Sequence, residues 1–238
     1  MKRILMAGAL AIGGSALAAD LPQPMPPPPP RAPATYIPAA VPYYNWGGIY
    51  FGVNGGGDYA YSNWTPSTGT ATGNFNPTGF LVGGTVGANF QAGAFVFGIE
   101  GDIDWTNLSG STTNANCTGL PGGLTTCTTS ENYLGTVRGR LGYAWDRVLF
   151  YGTAGGAFGN VKAATNIGSN SANEFGWTAG GGIEFAFAQN WTAKVEYLYV
   201  SLQSGTCGVA CGIAAPTTVG MTLNENLVRA GLNYKFNF

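Results

Sequence analysis

Charged residues in this chain stand at alternate positions, where a carboxylate or guanidinium could bind an ion or pair with an opposite charge. Glu100, Asp102 and Asp104 form one such series, and Arg138 and Arg140 form a second series of opposite charge. The carboxylates could hold Ca²⁺ through their oxygens. Pairing with the arginines satisfies the same carboxylates more simply, because unpaired buried charges are costly.

Charged residues with the same spacing occur in further segments of the sequence. We interpret the whole set as a compensating network of salt bridges that fills an enclosed interior. An ion path lined by these charges is the alternative interpretation. The predicted network sets Glu100, Asp102, Asp104, Glu184 and Glu196 against Arg138, Arg140, Lys194, Arg229 and Lys235.

Histidine is absent from the 238 residues, which removes the commonest general base and metal ligand. No Ser-His-Asp or Cys-His arrangement can be assembled, and we predict no catalytic residue, no metal and no cofactor. The glycine-rich segment 55–60 is followed by no helix pattern, so it does not predict a dinucleotide site. Ten basic and 11 acidic residues leave no basic surplus for binding nucleic acid.

Four cysteines lie in two polar segments, Cys117 with Cys127 and Cys207 with Cys211. An even number of cysteines favours disulfides if the chain is exported. Three pairings are open, and we favour pairing within each segment because those partners are closest in sequence. A four-cysteine zinc site is the alternative, although the two spacings match no common zinc pattern.

The elements that must position these groups are marked by an alternation of apolar and polar residues from Gly47 onward. A period of two residues predicts β-strands with one apolar face. Eight segments show the pattern: 48–60, 79–90, 95–105, 133–143, 148–161, 175–187, 191–199 and 228–238.

The connections between these segments alternate between short and long. Short turns are predicted near Gln91–Ala94, Ala144–Arg147 and Ala188–Asn190, and long polar loops at roughly 62–78, 106–131, 163–172 and 202–222. An even number of strands with this alternation predicts an all-β fold, a closed eight-stranded antiparallel barrel of the outer-membrane type.

A soluble β-sandwich would show the same alternation, so the polar face has to decide between the two folds. Only 9% of the residues are charged and 39 are glycine, which is typical of a narrow lumen rather than of a sheet in water. Aromatic residues near strand ends predict interfacial girdles. The candidates are Trp46, Tyr50, Phe90, Phe95, Trp105, Tyr133, Tyr143, Trp177, Phe187, Trp191 and Tyr199.

Residues 1–18 predict a secretory signal peptide, with Lys2 and Arg3 ahead of an apolar run and a small-residue cleavage site after it. A membrane-anchoring helix is the alternative, but the apolar run is short and interrupted by glycine. Residues 19–45 predict a proline-rich periplasmic tail, which acts as a spacer or recruits a proline-reading partner. The barrel domain is predicted at 46–238.

Five motifs spread over nearly the whole chain carry a resemblance to a known family. They are ALAADLP, YYNWGGIYFGVNGG, VRGRLGYAWDRVLFYGTAGGAFG, WTAKVEYLYV and NLVRAGLNYKFNF, in this order. The chain resembles the small outer-membrane β-barrel proteins of the porin-like, immunogenic surface-protein type, described mainly from alphaproteobacteria. The resemblance implies that Phe238, with Leu232, Tyr234 and Phe236, forms the signal read by the barrel-assembly machinery. The four-cysteine loops depart from the family pattern.

Members of that family include porins, structural envelope proteins, surface antigens and a branch associated with haemin binding. We therefore expect a structural, surface-presenting protein of the Gram-negative outer membrane, monomeric or weakly oligomeric and in contact with lipid. A small-solute channel is the first alternative, and a receptor or adhesin that binds through its long loops is the second. Haemin binding would need Tyr, Met or Cys as the iron ligand, because histidine is absent.

Overall fold

The structure is a computed structural model that describes residues 43–236 except Thr68, Gly119 and Pro121, and leaves out the side chain of Ser204. The predicted signal peptide, the proline-rich tail up to residue 42 and Phe238 lie outside the described residues. Among the described residues, no helix combines the length and the apolar character needed to cross a membrane.

Within this described part of the chain, nine β-strands form one antiparallel sheet. A short helix, α1 (Ala115–Thr118), and one turn of 3-10 helix (Val209–Cys211) lie in the loops. The strands are β1 (Gly48–Pro66), β2 (Thr78–Ala92), β3 (Phe95–Thr106), β4 (Ser109–Thr112), β5 (Cys127–Trp145), β6 (Val148–Thr165), β7 (Ser169–Ala186), β8 (Trp191–Cys207) and β9 (Val219–Phe236).

The sheet closes on itself because β1 pairs with both β2 and β9. The β1–β9 seam runs from Ile49 opposite Phe236 to Pro66 opposite Val219. The short β4 continues the line of β3, since both strands pair with β5 on one side and with β2 on the other. The sheet therefore has eight strand positions, and the predicted closed eight-stranded antiparallel barrel is confirmed.

The strands extend further toward the long loops than the sequence predicts. The loop predicted at 163–172 is instead a turn at residues 166–168, and β1 continues to Pro66. The predicted loop 106–131 contains β4, α1 and the first residues of β5. Beyond the apolar band the sense of the alternation reverses, because Trp64, Met221 and Leu223 point inward and are buried while polar neighbours face outward. An apolar outer face therefore marks only the middle part of each strand, although backbone pairing continues beyond it.

In the middle of the barrel wall the outer face is apolar, and charged side chains point inward. In β3, Ile99 and Ile103 are 68% and 52% exposed, whereas Asp102 and Asp104 are buried. Exposed rings lie in two bands, the arrangement of interfacial aromatic girdles. The band toward the short turns includes Phe51, Phe90, Phe95, Tyr143 and Trp191, and the band toward the long loops includes Tyr59, Phe80, Trp105, Phe175 and Trp177.

Three groups of buried apolar side chains divide the interior. The turn-end cluster consists of Tyr44, Trp46, Val96, Ala144, Leu149, Tyr151 and Ala186. The apolar layer consists of Ala60, Leu81, Leu108, Leu134, Ala157, Val161, Leu198, Val200, Leu202, Leu223 and Leu227. The loop-end cap consists of Trp64, Phe75, Cys117, Leu120, Leu124, Cys127, Ala163, Cys207, Cys211, Ile213, Val219 and Met221.

Candidate functional site

A cluster of charged side chains occupies the interior between the turn-end cluster and the apolar layer. Along β5 the inward residues run from Ala144 through Arg140 and Arg138 to Leu134, which places the two arginines between those apolar groups. The central charge cluster, as we name it, consists of Glu100, Asp102, Asp104, Arg138, Arg140, Glu184, Lys194, Glu196 and Arg229.

Arg138 is one of two cations in this cluster that each pair with three carboxylates. Strand register sets it opposite Glu100. Its Nη2 donates to Glu100 Oε1 and Asp102 Oδ2, each at 2.6 Å, and its Nη1 donates to Glu196 Oε2 at 2.9 Å. The side chain has no solvent exposure. Arg138 in β5 is thereby tied to carboxylates of β3 and β8.

Arg229 in β9 makes a second set of bonds to the same acids. Its Nη1 lies 2.7 Å from Asp104 Oδ2 and 3.0 Å from Asp102 Oδ1. Its Nη2 lies 3.0 Å from Asp102 Oδ2 and 3.3 Å from Glu196 Oε1. Two guanidinium groups thus share Asp102 and Glu196. Because a guanidinium is planar and donates several hydrogen bonds in fixed directions, it orients these carboxylates as well as neutralising them.

The remaining cations complete the cluster toward the short turns. Arg140 donates to Glu184, and its guanidinium carbon lies 3.6 Å from the centre of the Tyr151 ring. Lys194 Nζ donates to Glu100 Oε2 at 2.9 Å. Every carboxylate of the cluster is therefore engaged by an arginine or a lysine. The arrangement suits mechanical cross-linking of strands rather than proton transfer to a substrate.

Lys235 lies apart from the central charge cluster, although the sequence predicts it as a member. Its Nζ donates to the carbonyl of Asn45 and lies 4.3 Å from the centre of the Tyr44 ring. Asn233 takes the place beside Glu184 instead, with its Nδ2 2.9 Å from Glu184 Oε1. Lys235 is thus one inward position too close to the end of β9 to reach the cluster.

Residues before β1 cover the interior at the short-turn end. Trp46 is 1% exposed, and its indole N–H donates to the carbonyl of Asp146 at 3.0 Å. Burial, with Glu184 nearby, raises the pKa of Tyr44 to about 12, so this ring is neutral beside Lys235. The prediction that Trp46 and Tyr50 belong to an exposed girdle is wrong, because Tyr50 also points inward and donates to Glu100 Oε2 at 2.7 Å.

Three interior acids escaped the sequence analysis. Asp58 in β1, Glu131 in β5 and Glu225 in β9 are buried, and ligand oxygens of all three lie within 4.8 Å of one another. Asp58 already lies within the predicted segment 48–60, and extending the alternation of the last segment toward its long loop would have found Glu225. Glu131 could not be found in this way, because an irregularity between Glu131 and Leu134 shifts the register of β5. Within the part of the chain that the structure describes, this acidic triad is the group that could hold a metal ion.

The cysteines lie in the loop-end cap. The structure pairs Cys117 with Cys127 and Cys207 with Cys211, the arrangement that the sequence analysis favours. Both disulfides are buried with Trp64. The loops therefore pack as an apolar group over the interior instead of extending as separate polar chains.

The residues of the predicted assembly signal lie on the outer face of β9. Leu232, Tyr234 and Phe236 are partly exposed, and Tyr234 packs edge-on against both Trp191 and Phe236. Phe238 lies outside the described residues. The exposed row of apolar side chains is available to a partner that contacts the barrel wall.

The comparisons with known proteins agree with this architecture. The family model of the outer membrane protein β-barrel domain matches residues 32–236. The chain is 34% identical to the 31 kDa outer-membrane immunogenic protein of Brucella melitensis biotype 1, covering 99% of this chain and 100% of that protein. It is 33% identical to the 22 kDa outer membrane protein of Rhizobium leguminosarum bv. viciae, covering 81% of this chain and 79% of that protein.

A solved structure with a matching chain is that of Ail, the attachment invasion locus protein of Yersinia pestis. Its TM-score is 0.36 at 17% identity, covering 77% of this chain and 99% of that chain. The barrel assignment rests on strand pairing and on the family match rather than on this likeness. With the strands closed into a barrel and the predicted resemblance confirmed, the chain belongs to the outer membrane protein β-barrel domain family and is an outer-membrane protein.

Proposed function

We propose that this outer-membrane barrel is a structural, surface-presenting protein whose lumen is closed by its own side chains. The observation that carries the proposal is Arg138, a fully buried cation that bonds three carboxylates from two other strands. An eight-stranded barrel is only wide enough for its interior side chains to fill it. A bridge of this kind across so narrow a lumen leaves little room for a continuous water path.

Three further layers support closure. Trp46 and Tyr44 cover the short-turn end, the apolar layer follows the charges, and the loop-end cap covers the long-loop end. An apolar constriction resists the passage of ions because water leaves it readily. A solute would have to displace all four layers to cross.

The surface-presenting part of the proposal is supported by the relatives. The chain matches proteins named outer-membrane immunogenic proteins over nearly its whole length, and those names describe exposure to an immune system rather than catalysis. We propose that the long loops around the loop-end cap form the presented surface and that the short turns face the periplasm. Lipid contacts the apolar wall, and the assembly machinery reads the exposed row of β9 in a monomeric barrel.

The proposal is tested by conductance in planar lipid bilayers. Wild-type protein should show little or no steady conductance. The double substitution Arg138→Ala with Arg140→Ala should open a cation-selective path, because it shortens the central side chains, leaves Glu184 without its arginine and leaves Glu100 with Lys194 alone. Arg147→Ala, in the turn between β5 and β6, is the matched control and should behave as wild type.

Large, stable openings in the wild-type protein would reject the closed lumen and favour the small-solute channel. A double variant that conducts no better than Arg147→Ala would show that the arginines do not block the path.

A further inference from the structure

The acidic triad of Asp58, Glu131 and Glu225 is separate from the central charge cluster. The three carboxylates come from β1, β5 and β9 and converge on one point, with their ligand oxygens within 4.8 Å of one another. Their exposures are 5%, 1% and 0%. Three carboxylates are thus enclosed together in the half of the barrel nearer the long loops.

Among the described residues, no group outside the triad donates a hydrogen bond to these carboxylates. Both oxygens of Asp58, Glu131 and Glu225 are buried, and the contact within hydrogen-bond reach joins the carboxyls of Glu131 and Glu225 to each other. Buried polar atoms in folded proteins are almost always satisfied, and unsatisfied ones require an explanation such as an ion. One oxygen from each carboxylate lies within 4.8 Å of the other two, and none of the three has a donor outside the triad among the described residues, which indicates a ligand more strongly than acidic composition alone.

Around the triad, the described residues provide no compensating positive charge. The inward neighbours of Glu225 along β9 are Leu223 and Leu227, both members of the apolar layer. Arg229, the next inward cation on that strand, is already bonded to Asp102, Asp104 and Glu196. Ionised carboxylates in an apolar layer are strongly unfavourable unless a cation or protons neutralise them.

The backbone is arranged so that Glu131 can enter the triad. The register shift between Glu131 and Leu134 redirects the side chain into the barrel, as β-bulges do. Gly159 of β6 lies against this carboxylate, and a Cβ at that position would collide with Glu131 Oε1. A bulge and a glycine thus make room for a charge that the apolar layer would otherwise exclude.

We propose that the acidic triad binds one divalent cation, and that Ca²⁺ is the ion that fits it best. Carboxylate oxygens are the ligands of hard divalent cations, and a dication would neutralise most of the charge. Mg²⁺ keeps several waters in most protein sites, whereas Ca²⁺ accepts several carboxylates in an irregular geometry. A leucine-lined layer has little space for retained waters, which favours Ca²⁺. The bound ion would join β1, β5 and β9 above the central charge cluster.

The test uses full-length protein refolded in detergent, in buffer containing either CaCl₂ or EDTA. After removal of free ions, elemental analysis should find about one calcium per chain only in the first sample. Thermal unfolding of the calcium-loaded protein should occur about 5–10 °C higher than that of the EDTA sample. Refolding in MgCl₂ should give a smaller rise.

Two isosteric variants locate the site. Asp58→Asn and Glu225→Gln keep side-chain shape while removing one charge each, and each should lose the bound calcium and the calcium-dependent rise in Tm. Asp146→Asn, the same change in an exposed turn at the other end of the barrel, should retain both.

Wild-type protein without calcium and without a calcium-dependent Tm would overturn the proposal and indicate carboxyls that share protons. Calcium retained by both triad variants would also overturn it. A larger rise with Mg²⁺ would reject Ca²⁺ as the fitting ion. The comparison of CaCl₂ with EDTA in wild-type protein decides the question even if a variant does not fold.

Discussion

Arg138 and Arg229 determine how charge is held inside this barrel, because each guanidinium bonds carboxylates on more than one other strand. Asp102 and Glu196 accept from both arginines. Removing one arginine therefore leaves several buried carboxylates under-compensated at once. The cost of such a loss exceeds the net value of the pairs themselves, since the orphaned charges remain buried.

Replacement of Arg138 should therefore destabilise the barrel in a graded way. Arg138→Ala should lower the free energy of unfolding by about 3–5 kcal/mol. Arg138→Lys should lower it less, because the charge remains while the bidentate fork is lost. Urea unfolding in lipid vesicles, followed by tryptophan fluorescence, measures both values, with Arg147→Ala as the exposed control. An Arg138→Ala barrel as stable as Arg147→Ala would contradict the prediction.

The charges of β3 and β5 could be predicted from sequence because they keep strict alternation through the apolar band. The prediction that Lys235 joins the central charge cluster is wrong, since alternation indicates the strand face of a side chain but not its position along the barrel axis. Glu131 was missed because the β5 irregularity changes the parity of the strand. The local sequence thus determines which face of a strand a side chain lies on. Its position along the barrel axis and its pairing partner depend on the register of the neighbouring strands.

At the level of the strands, glycines set how closely the backbones and interior side chains approach. Gly155 of β6 pairs with Arg138 of β5. A Cβ at Gly155 would lie 2.6 Å from the Arg138 Cα and would also collide with the carbonyl of Val137. A Cβ at Gly57 of β1 would have no heavy atom within 4 Å. Glycine is therefore required at position 155, whereas alanine can replace it at position 57.

Replacing each of these two glycines with alanine should show that Gly155 is required and that Gly57 is not. Gly155→Ala should destabilise the barrel by about 1–3 kcal/mol, because β5 and β6 must move apart to accept the methyl group. Gly57→Ala should be close to neutral. The urea-unfolding midpoint in lipid vesicles measures the difference. Equal midpoints for the two variants would show that β5 and β6 adjust without cost.

The existence and order of the transmembrane strands could be predicted from period two, but their lengths could not. β5 begins at Cys127, although the pattern first becomes clear at Tyr133. Beyond the girdle, lipid no longer imposes an apolar outer face, and apolar residues such as Trp64, Met221 and Leu223 point inward instead. The pattern that marks the transmembrane part of a strand therefore ends before the strand does.

For the whole molecule, closure of the β1–β9 seam is separate from closure of the loop-end cap. The seam pairs backbone along the full length of both strands. The cap is built from the two disulfides, from loop residues and from inward residues at the loop ends of the strands. A closed barrel resists detergent because it has no free strand edge, so this resistance should depend on the seam and not on the cap.

Gel migration with and without boiling tests this separation. Folded wild-type protein should resist SDS at room temperature and change its migration after boiling. The variant with all four cysteines replaced by serine should keep this heat-dependent shift, because none of them holds the barrel wall together. Leu227→Pro, in the part of β9 that pairs with both β1 and β8, should abolish the shift, since proline removes a ladder hydrogen bond at the seam. Loss of the shift in the cysteine-free variant, with Leu227→Pro unaffected, would mean that the disulfides rather than the seam keep the barrel closed.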